Sequence, residues 1–309
     1  MDELDADTRI RMAAVDRLNR IAIAGVVTSD DLRAGFVVDQ LRIPFINPQR
    51  GIFKPAVMRH LLSVRTVFPT SGRKVWYDDQ RHVHEQIARG DELVDYAFMG
   101  TDPDAADNRW LREAMEAQIP VIYCLGIAPQ RYSVIWPAFI ADWSPSELKA
   151  RLAFAAPTNQ KVPWNLPLPP ERRYGLRLVK QRLHQAMFRE AVLAAYGHRC
   201  AVSNLPEPRL LDAAHIIADT DEGLGQPVVP NGIPLSKIHH AAFDANLIGI
   251  DADFRIHVAD ELLSMNDGPM LEQGITGIAG RVIRLPGRKL DHPDRDRLAQ
   301  RFETFRAWI

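Results

Sequence analysis

Between positions 212 and 244 the sequence gathers groups that can bind a cation or move a proton. They are Asp212 and His215 in LLDAAHII, Asn231 in PNGIPL, and His239, His240 and Asp244 in SKIHHAAFDANL. The last stretch has helical periodicity, so His240 and Asp244 share one face and His239 points about a quarter turn away. An imidazole and a carboxylate so placed can hold one divalent ion, and mixed nitrogen and oxygen donors suit Mg, Mn, Zn or Ni alike. His215 closes an apolar run that reads as a strand, and a neutral imidazole there can take a proton from water. Asn231 can set that ring's tautomer or orientation through its amide or its carbonyl. Base, orienting group and cation-holding helix are the parts needed to hydrolyse a phosphodiester. Taken singly, each has a plainer reading: a satisfied strand histidine, a local helical ion pair, an Asn-Gly turn. Their order together favours the chemistry.

The elements that must position these groups follow from periodicity. RLVKQRLHQAMFREAVLAAY (177–196) is an amphipathic helix, LLDAAHII a strand, LIGIDADFRIHVAD a hairpin, and DRDRLAQRFETFRAWI an amphipathic closing helix. Upstream, APTNQKVPWNLPLPPERR carries Pro157, Pro163, Pro167, Pro169 and Pro170, which favours an extended connector. The expected division is therefore residues 1–155, a Pro-rich linker over 156–175, and a second domain over 176–309. The first domain reads as α+β. Helices are expected over 8–25, 54–62, 108–118 and from Ser144 or Ser146 to about 155, with strands in SVRTVF, KVWYDD, LVDYAFM, PVIYCLGI and YSVIWPAFIADW. Strands outnumbering helices suggest a small curled sheet or barrel with flanking helices.

The totals set bounds. The chain has 309 residues, a net charge of −1 and 46% hydrophobic residues, typical of a soluble globular protein. No apolar run is long enough to cross a membrane, and the acidic start lacks a signal peptide's order, so a cytoplasmic location is expected. Two cysteines exclude a disulfide framework and a four-cysteine zinc ribbon. Cys124 and Cys200 both read as buried small hydrophobes. Residues 161–200 hold eight basic side chains, Arg173 and Lys180 among them, against Glu171 and Glu190. Such a block can meet phosphates, although on charge alone a solvated helix face is the plainer reading.

On these residues the stretch from Cys200 to Asp251 resembles the HNH endonuclease module, the ββα-metal fold, and the resemblance covers about residues 176–290. The resemblance implies His215 as general base, Asn231 as the middle asparagine, His240 as the final metal-binding histidine and Asp244 as a further ligand. Many members carry Asp or His directly before the base; here that position is Ala214, and Asp212 is the nearest upstream carboxylate. The implied cofactor is a divalent ion, Mg or Mn first, with Ni or Zn as alternatives.

In the first domain, Tyr77, Asp78 and Asp79 end one expected strand, while Tyr96 and Phe98 alternate along the next. Carboxylates can accept a hydrogen bond from cytosine N4, and aromatic faces can sandwich an extruded base. Core packing and a turn are the plainer readings. The order Tyr-Asp-Asp, an aromatic two residues before Gly, then Asn-Arg-x-Leu is similar to the SRA domain of the PUA superfamily. That resemblance implies a pocket for flipped 5-methylcytosine or 5-hydroxymethylcytosine, with Tyr77 and Phe98 stacking and Asp79 or Asp78 on the polar edge. Arg50 and Lys54 in QRGIFKP are candidate backbone contacts, as are Arg173 and Lys180.

The whole reads as a modification-dependent restriction endonuclease acting on double-stranded DNA. Because one HNH site cuts one strand, a homodimer is expected. The alternatives are an HNH nuclease reading another modified base or RNA, and an inactive reader of modified DNA.

Overall fold

The computed structural model describes residues 5–68, 79–155, 169–221, 223–265 and 268–308. It is mixed α+β and divides into two compact units, Met1–Ala186 and Met187–Ile309. The helices are α1 (Ala6–Ile21), α2 (Ser29–Ala34), α3 (Asp79–Arg89), α4 (Ala106–Glu116), α5 (Pro169–Ala195), α6 (Lys237–Asp244), α7 (Asp260–Leu263), α8 (Gly268–Gly274) and α9 (Arg295–Arg306). The strands of the first unit are β1 (Val26–Thr28), β2 (Phe36–Val38), β3 (Leu41–Ile43), β4 (Ile52–Phe53), β5 (Ser63–Thr66), β6 (Val94–Ala97), β7 (Val121–Ala128), β8 (Arg131–Ser144) and β9 (Lys149–Phe154). Those of the second are β10 (Leu211–His215), β11 (Gly232–Ser236), β12 (Ile248–Ile250) and β13 (Ile256–Val258).

The first unit is built on a mixed sheet in the order β4-β5-β7-β8-β9-β6, with β1 also paired to β8. Among its described strands only β5 and β7 run parallel. β7 is VIYCLGIA, apolar at nearly every position, and it is buried at every residue but the last. Such a run needs cover on both faces. Ile122 and Cys124 join Ile10, Ala14 and Leu18 of α1 in one core cluster. On the opposite face the Tyr123 ring stacks on Phe154 at 6.1 Å. Register shifts within the β7–β8 and β8–β9 pairs bend the long β8 and curl the sheet into a half-barrel. No described strand closes it into a barrel.

Several expectations are corrected. The helix expected from Ser144 or Ser146 is instead the end of β8, a turn, and β9, because Ala150, Leu152 and Phe154 alternate inward where a strand buries them. Residues 54–62 form turns rather than a helix, held by Met58 N–H to Pro55 O and by Leu62 N–H to Phe53 O. Asp79 opens α3 rather than ending a strand. Within the 156–175 stretch, 156–168 lie outside the described residues and 169–175 are helical. Pro169 and Pro170 do not oppose this, since first-turn N–H groups have no intrahelical partner to lose. The boundary between the units falls at Ala186/Met187, inside α5.

In the second unit β10 and β11 pair antiparallel without a register shift, from Leu211↔Ser236 to His215↔Gly232. α6 follows β11 directly, with Ser236 as its N-cap accepting from His239 N–H. Ala214, Ile233, Leu235, Ala242 and Phe243 meet in one core with Phe188 and Val192 of α5, the β12–β13 hairpin and Leu298 of α9. The sequence thus folds locally as β10, β11, α6, the ββα order that positions the site.

Candidate active site

His215 is the last residue of β10 and faces Gly232 across the ladder. Phe188 of α5 stacks on its imidazole with ring centroids 4.0 Å apart and planes 16° apart. Gly232 makes room for that ring, since a Cβ there would lie 2.4 Å from Val192 Cγ2 and 2.8 Å from Phe188 Cζ. Nε2 of His215 is buried and has no hydrogen-bond partner among the described residues. Burial pulls its pKa below the ordinary histidine value, Asp219 and Asp244 oppose that pull, and His240 reinforces it. The ring is therefore neutral near pH 7, with one nitrogen unengaged.

Asn231 is fully buried immediately before β11. Its side chain accepts from Ile217 N–H at 3.0 Å and donates to Ile217 O at 3.0 Å and to Gln226 O at 3.1 Å. Its carbonyl accepts from Ile216 N–H at 2.9 Å. It acts on the two residues that follow His215, and so holds the end of β10 rather than the imidazole itself.

His240 stands between two carboxylates. Its Nδ1 lies 3.8 Å from Asp212 Oδ2, and its Nε2 lies 3.4 Å from Asp244 Oδ2. Each pair has the donor chemistry and the separation for a shared divalent ion. The three side chains do not converge, because the two carboxylates face opposite nitrogens of one ring. Among the described residues no group of three or more His, Cys, Asp or Glu is arranged around one ion. The expected set Asp212, His240 and Asp244 thus separates into two alternative pairs, and further ligands must come from water or substrate.

His239, beside His240, is buried and fully engaged. Nδ1 lies 2.8 Å from Ser236 Oγ and 3.6 Å from Cys200 Sγ, and Nε2 donates to Gly274 O at 2.8 Å. Cys200 is more than a packed hydrophobe. Burial raises its pKa, but hydrogen bonds from His239, Ser203 and Ser236 outweigh burial and bring it down to about 6. The His239 pKa is raised in turn, with burial opposed by Cys200 and the Gly274 carbonyl. Both shifts run toward a thiolate facing an imidazolium, in a pairing across 39 positions that periodicity does not signal. Phe188, Asp219 and the Cys200–His239 pair are site residues missed in the sequence; only the apolar helix bearing Phe188 offered a hint.

Tyr77 and Asp78 are outside the described residues, and of Asp79 only its place in α3 is described. Tyr96 and Phe98 are buried, at 4% and 1% exposure. The Tyr96 hydroxyl donates to Arg65 O at 3.3 Å, and Phe98 packs on Trp143 at 5.2 Å. Neither presents an open face to a base. Asn108 locks the loop after β6, donating to Met99 O and Asp102 O and accepting from Met99 N–H. Arg50 pairs with Asp107 at 3.1 Å, and Lys54 donates to Met58 O and lies over the Trp110 ring. Arg173 pairs with Glu92 at 3.0 Å, and Lys180 donates to Ala88 O at 2.6 Å. Arg50 and Arg173 remain more than half exposed.

Residues 200–251 match the HNH endonuclease family, and the match contains all four of His215, Asn231, His240 and Asp244. The chain thus carries an HNH endonuclease domain and is an endonuclease. Among solved structures it resembles one described as "Modification dependent TagI restriction endonuclease", at 15% identity and a TM-score of 0.32 over 84% of this chain and 86% of that one. A likeness that slight carries no argument by itself. No curated protein matches the chain. No described helix is long and apolar enough to cross a membrane.

Proposed function

We propose that the chain is a modification-dependent DNA endonuclease whose second unit hydrolyses a phosphodiester. The observation that carries this reading is a neutral His215 stacked on Phe188 and within electrostatic reach of His240 and Asp244. In the proposed reaction the neutral imidazole of His215 takes a proton from water as the water oxygen attacks phosphorus and the bond from phosphorus to the leaving oxygen breaks. Phe188 prevents the ring from turning, and Asn231 fixes the chain that follows it. His240, with Asp244 or with Asp212, would hold a divalent ion, Mg or Mn in the first instance. Such an ion supplies Lewis-acid stabilisation of charge on the phosphate and on the leaving oxygen.

The first unit is proposed to recognise a 5-modified cytosine extruded from the duplex, in the manner of an SRA domain. Tyr77, Asp78 and Asp79 are then the residues that meet the base, with Tyr96 and Phe98 in the packing beneath. A 5-methyl group offers only about 0.8 kcal/mol of apolar burial, so discrimination needs a close-fitting pocket. Arg50, Lys54, Arg173 and Lys180 are proposed as backbone contacts, and a homodimer would deliver two nicks.

The test is cleavage of duplexes identical except at cytosine carbon 5, with Mg or Mn present. Cutting confined to 5-methyl or 5-hydroxymethyl duplexes supports the reading. Equal cutting of plain DNA removes the modified-base role, and favours an HNH nuclease that reads another feature.

A further inference from the structure

The mechanism above leaves unused two arginines of α9, a helix that lies beyond the HNH match. Arg297 and Arg301 are one helical turn apart, and each is spent on a different half of the site. Arg297 is almost fully enclosed; its Nε donates to Leu224 O at 2.9 Å and one terminal nitrogen to Gln226 Oε1 at 2.7 Å. The Gln226 carbonyl is itself held by Asn231 Nδ2. Just before α9, Asp294 N–H donates to Pro230 O at 2.9 Å, next to Asn231. Arg301 donates to Phe243 O at 2.6 Å and to the Asn246 side chain, and its guanidinium lies 4.7 Å above the Phe243 ring. Those contacts flank Asp244 at the C-terminal end of α6, where a cation also complements the helix dipole.

We infer that α9 is a brace between the two halves of the catalytic site, with Arg297 and Arg301 as positioning residues that fix the His215–Asn231 segment relative to the His240–Asp244 pair. α9 itself is anchored by Leu298 and Phe305, which are buried at 0% and 2% exposure. Phe305 seats against Gly249 of β12, where a Cβ would come within 2.6 Å of its ring. A rigid helix with donors at both ends sets a distance that neither the β10–β11 loop nor α6 sets alone. Asp244 is 65% exposed, so its place depends on the backbone that Arg301 grips through Phe243 O.

This inference rests on the nuclease reading and is tested beside it. The full chain and its Arg301→Met variant are titrated with Mn2+ by calorimetry, and kcat and KM are measured on duplex DNA. The brace predicts that Arg301→Met weakens Mn2+ binding about tenfold, as loss of supporting contacts around metal ligands does. It also predicts that kcat falls while KM for DNA stays within about twofold. Asn246→Gly removes the acceptor at 246 while keeping a residue suited to the positive φ of 55°, and it serves if Arg301→Met does not fold. It should weaken Mn2+ binding in the same direction. Unchanged Mn2+ affinity in a folded Arg301→Met, or in Asn246→Gly where Arg301→Met does not fold, overturns the brace alone. A wild-type chain that neither binds Mn2+ nor cuts DNA overturns the nuclease reading as well.

Discussion

The imidazole of His215 lies flat on the ring of Phe188, 4.0 Å away and 16° from parallel, while its Nε2 faces no partner. Stacking of this kind restricts χ2 without consuming a nitrogen, which is what a proton acceptor needs. Phe188→Leu keeps an apolar side chain but removes the flat surface. It should cost about 1 kcal/mol of stability and slow cleavage about tenfold or more, because small misplacements of a base are costly. Urea unfolding and single-turnover cleavage check the two parts; an unchanged rate at reduced stability would make the stack merely structural.

Cleavage should survive mild acid. Burial holds the His215 pKa below 6.5, so the neutral, proton-accepting form persists to lower pH than for an ordinary histidine. The acid limb of kcat/KM should therefore lie below pH 6.5. Asp219 opposes the shift, so Asp219→Asn should move the limb further down. A limb at or above the ordinary histidine value, or one moved up in Asp219→Asn, would contradict this electrostatic account.

Asn231→Ala should unfold the site from its loop. The substitution strands Ile217 N–H and O in a buried setting and removes one of the bonds to Gln226 O. Each buried group left unsatisfied costs about 1–3 kcal/mol. Denaturant melts of the full chain should show a loss in that range or larger. A loss below about 0.5 kcal/mol would mean water replaces the side chain.

Gly232→Ala tests the packing under the base. Its φ of −134° suits any residue, so the penalty is steric: the new methyl meets Val192 and the Phe188 ring. Overpacking of this kind costs about 1–3 kcal/mol, and displacing Phe188 should reduce cleavage along with stability.

Cys200 should ionise near pH 6. Its thiolate absorbance in the ultraviolet should rise about three pH units below the ordinary value of 9.0, and His239→Ala should move that rise upward. A rise near 9 in the wild-type chain would contradict the thiolate–imidazole pairing.

Much of the site was legible because its parts are local. LLDAAHII, PNGIPL and SKIHHAAFDANL each announce their own element, and the i, i+4 spacing of His240 and Asp244 fixes their shared face. What lay hidden depends on tertiary approach. Phe188 comes from α5, Asp219 acts through space, Cys200 meets His239 across 39 positions, and Arg301 reaches back 58 positions to Phe243. In the first unit the misread segments had strong local signals that packing overrode. The serines at 144 and 146 look like helix caps, yet the inward alternation of Ala150, Leu152 and Phe154 makes that stretch a strand. Tyr96 and Phe98 do share a face, as alternation implies, but that face is core rather than pocket.

The central claim is that His215 draws the proton from water during strand cleavage. Cleavage of a modified-cytosine duplex by wild-type and His215→Ala chains, each with Mn2+ and with DNA binding measured in parallel, tests it most directly. The account predicts that His215→Ala binds the duplex as the wild type does and leaves it uncut. Cutting by His215→Ala at a rate near wild type would contradict it.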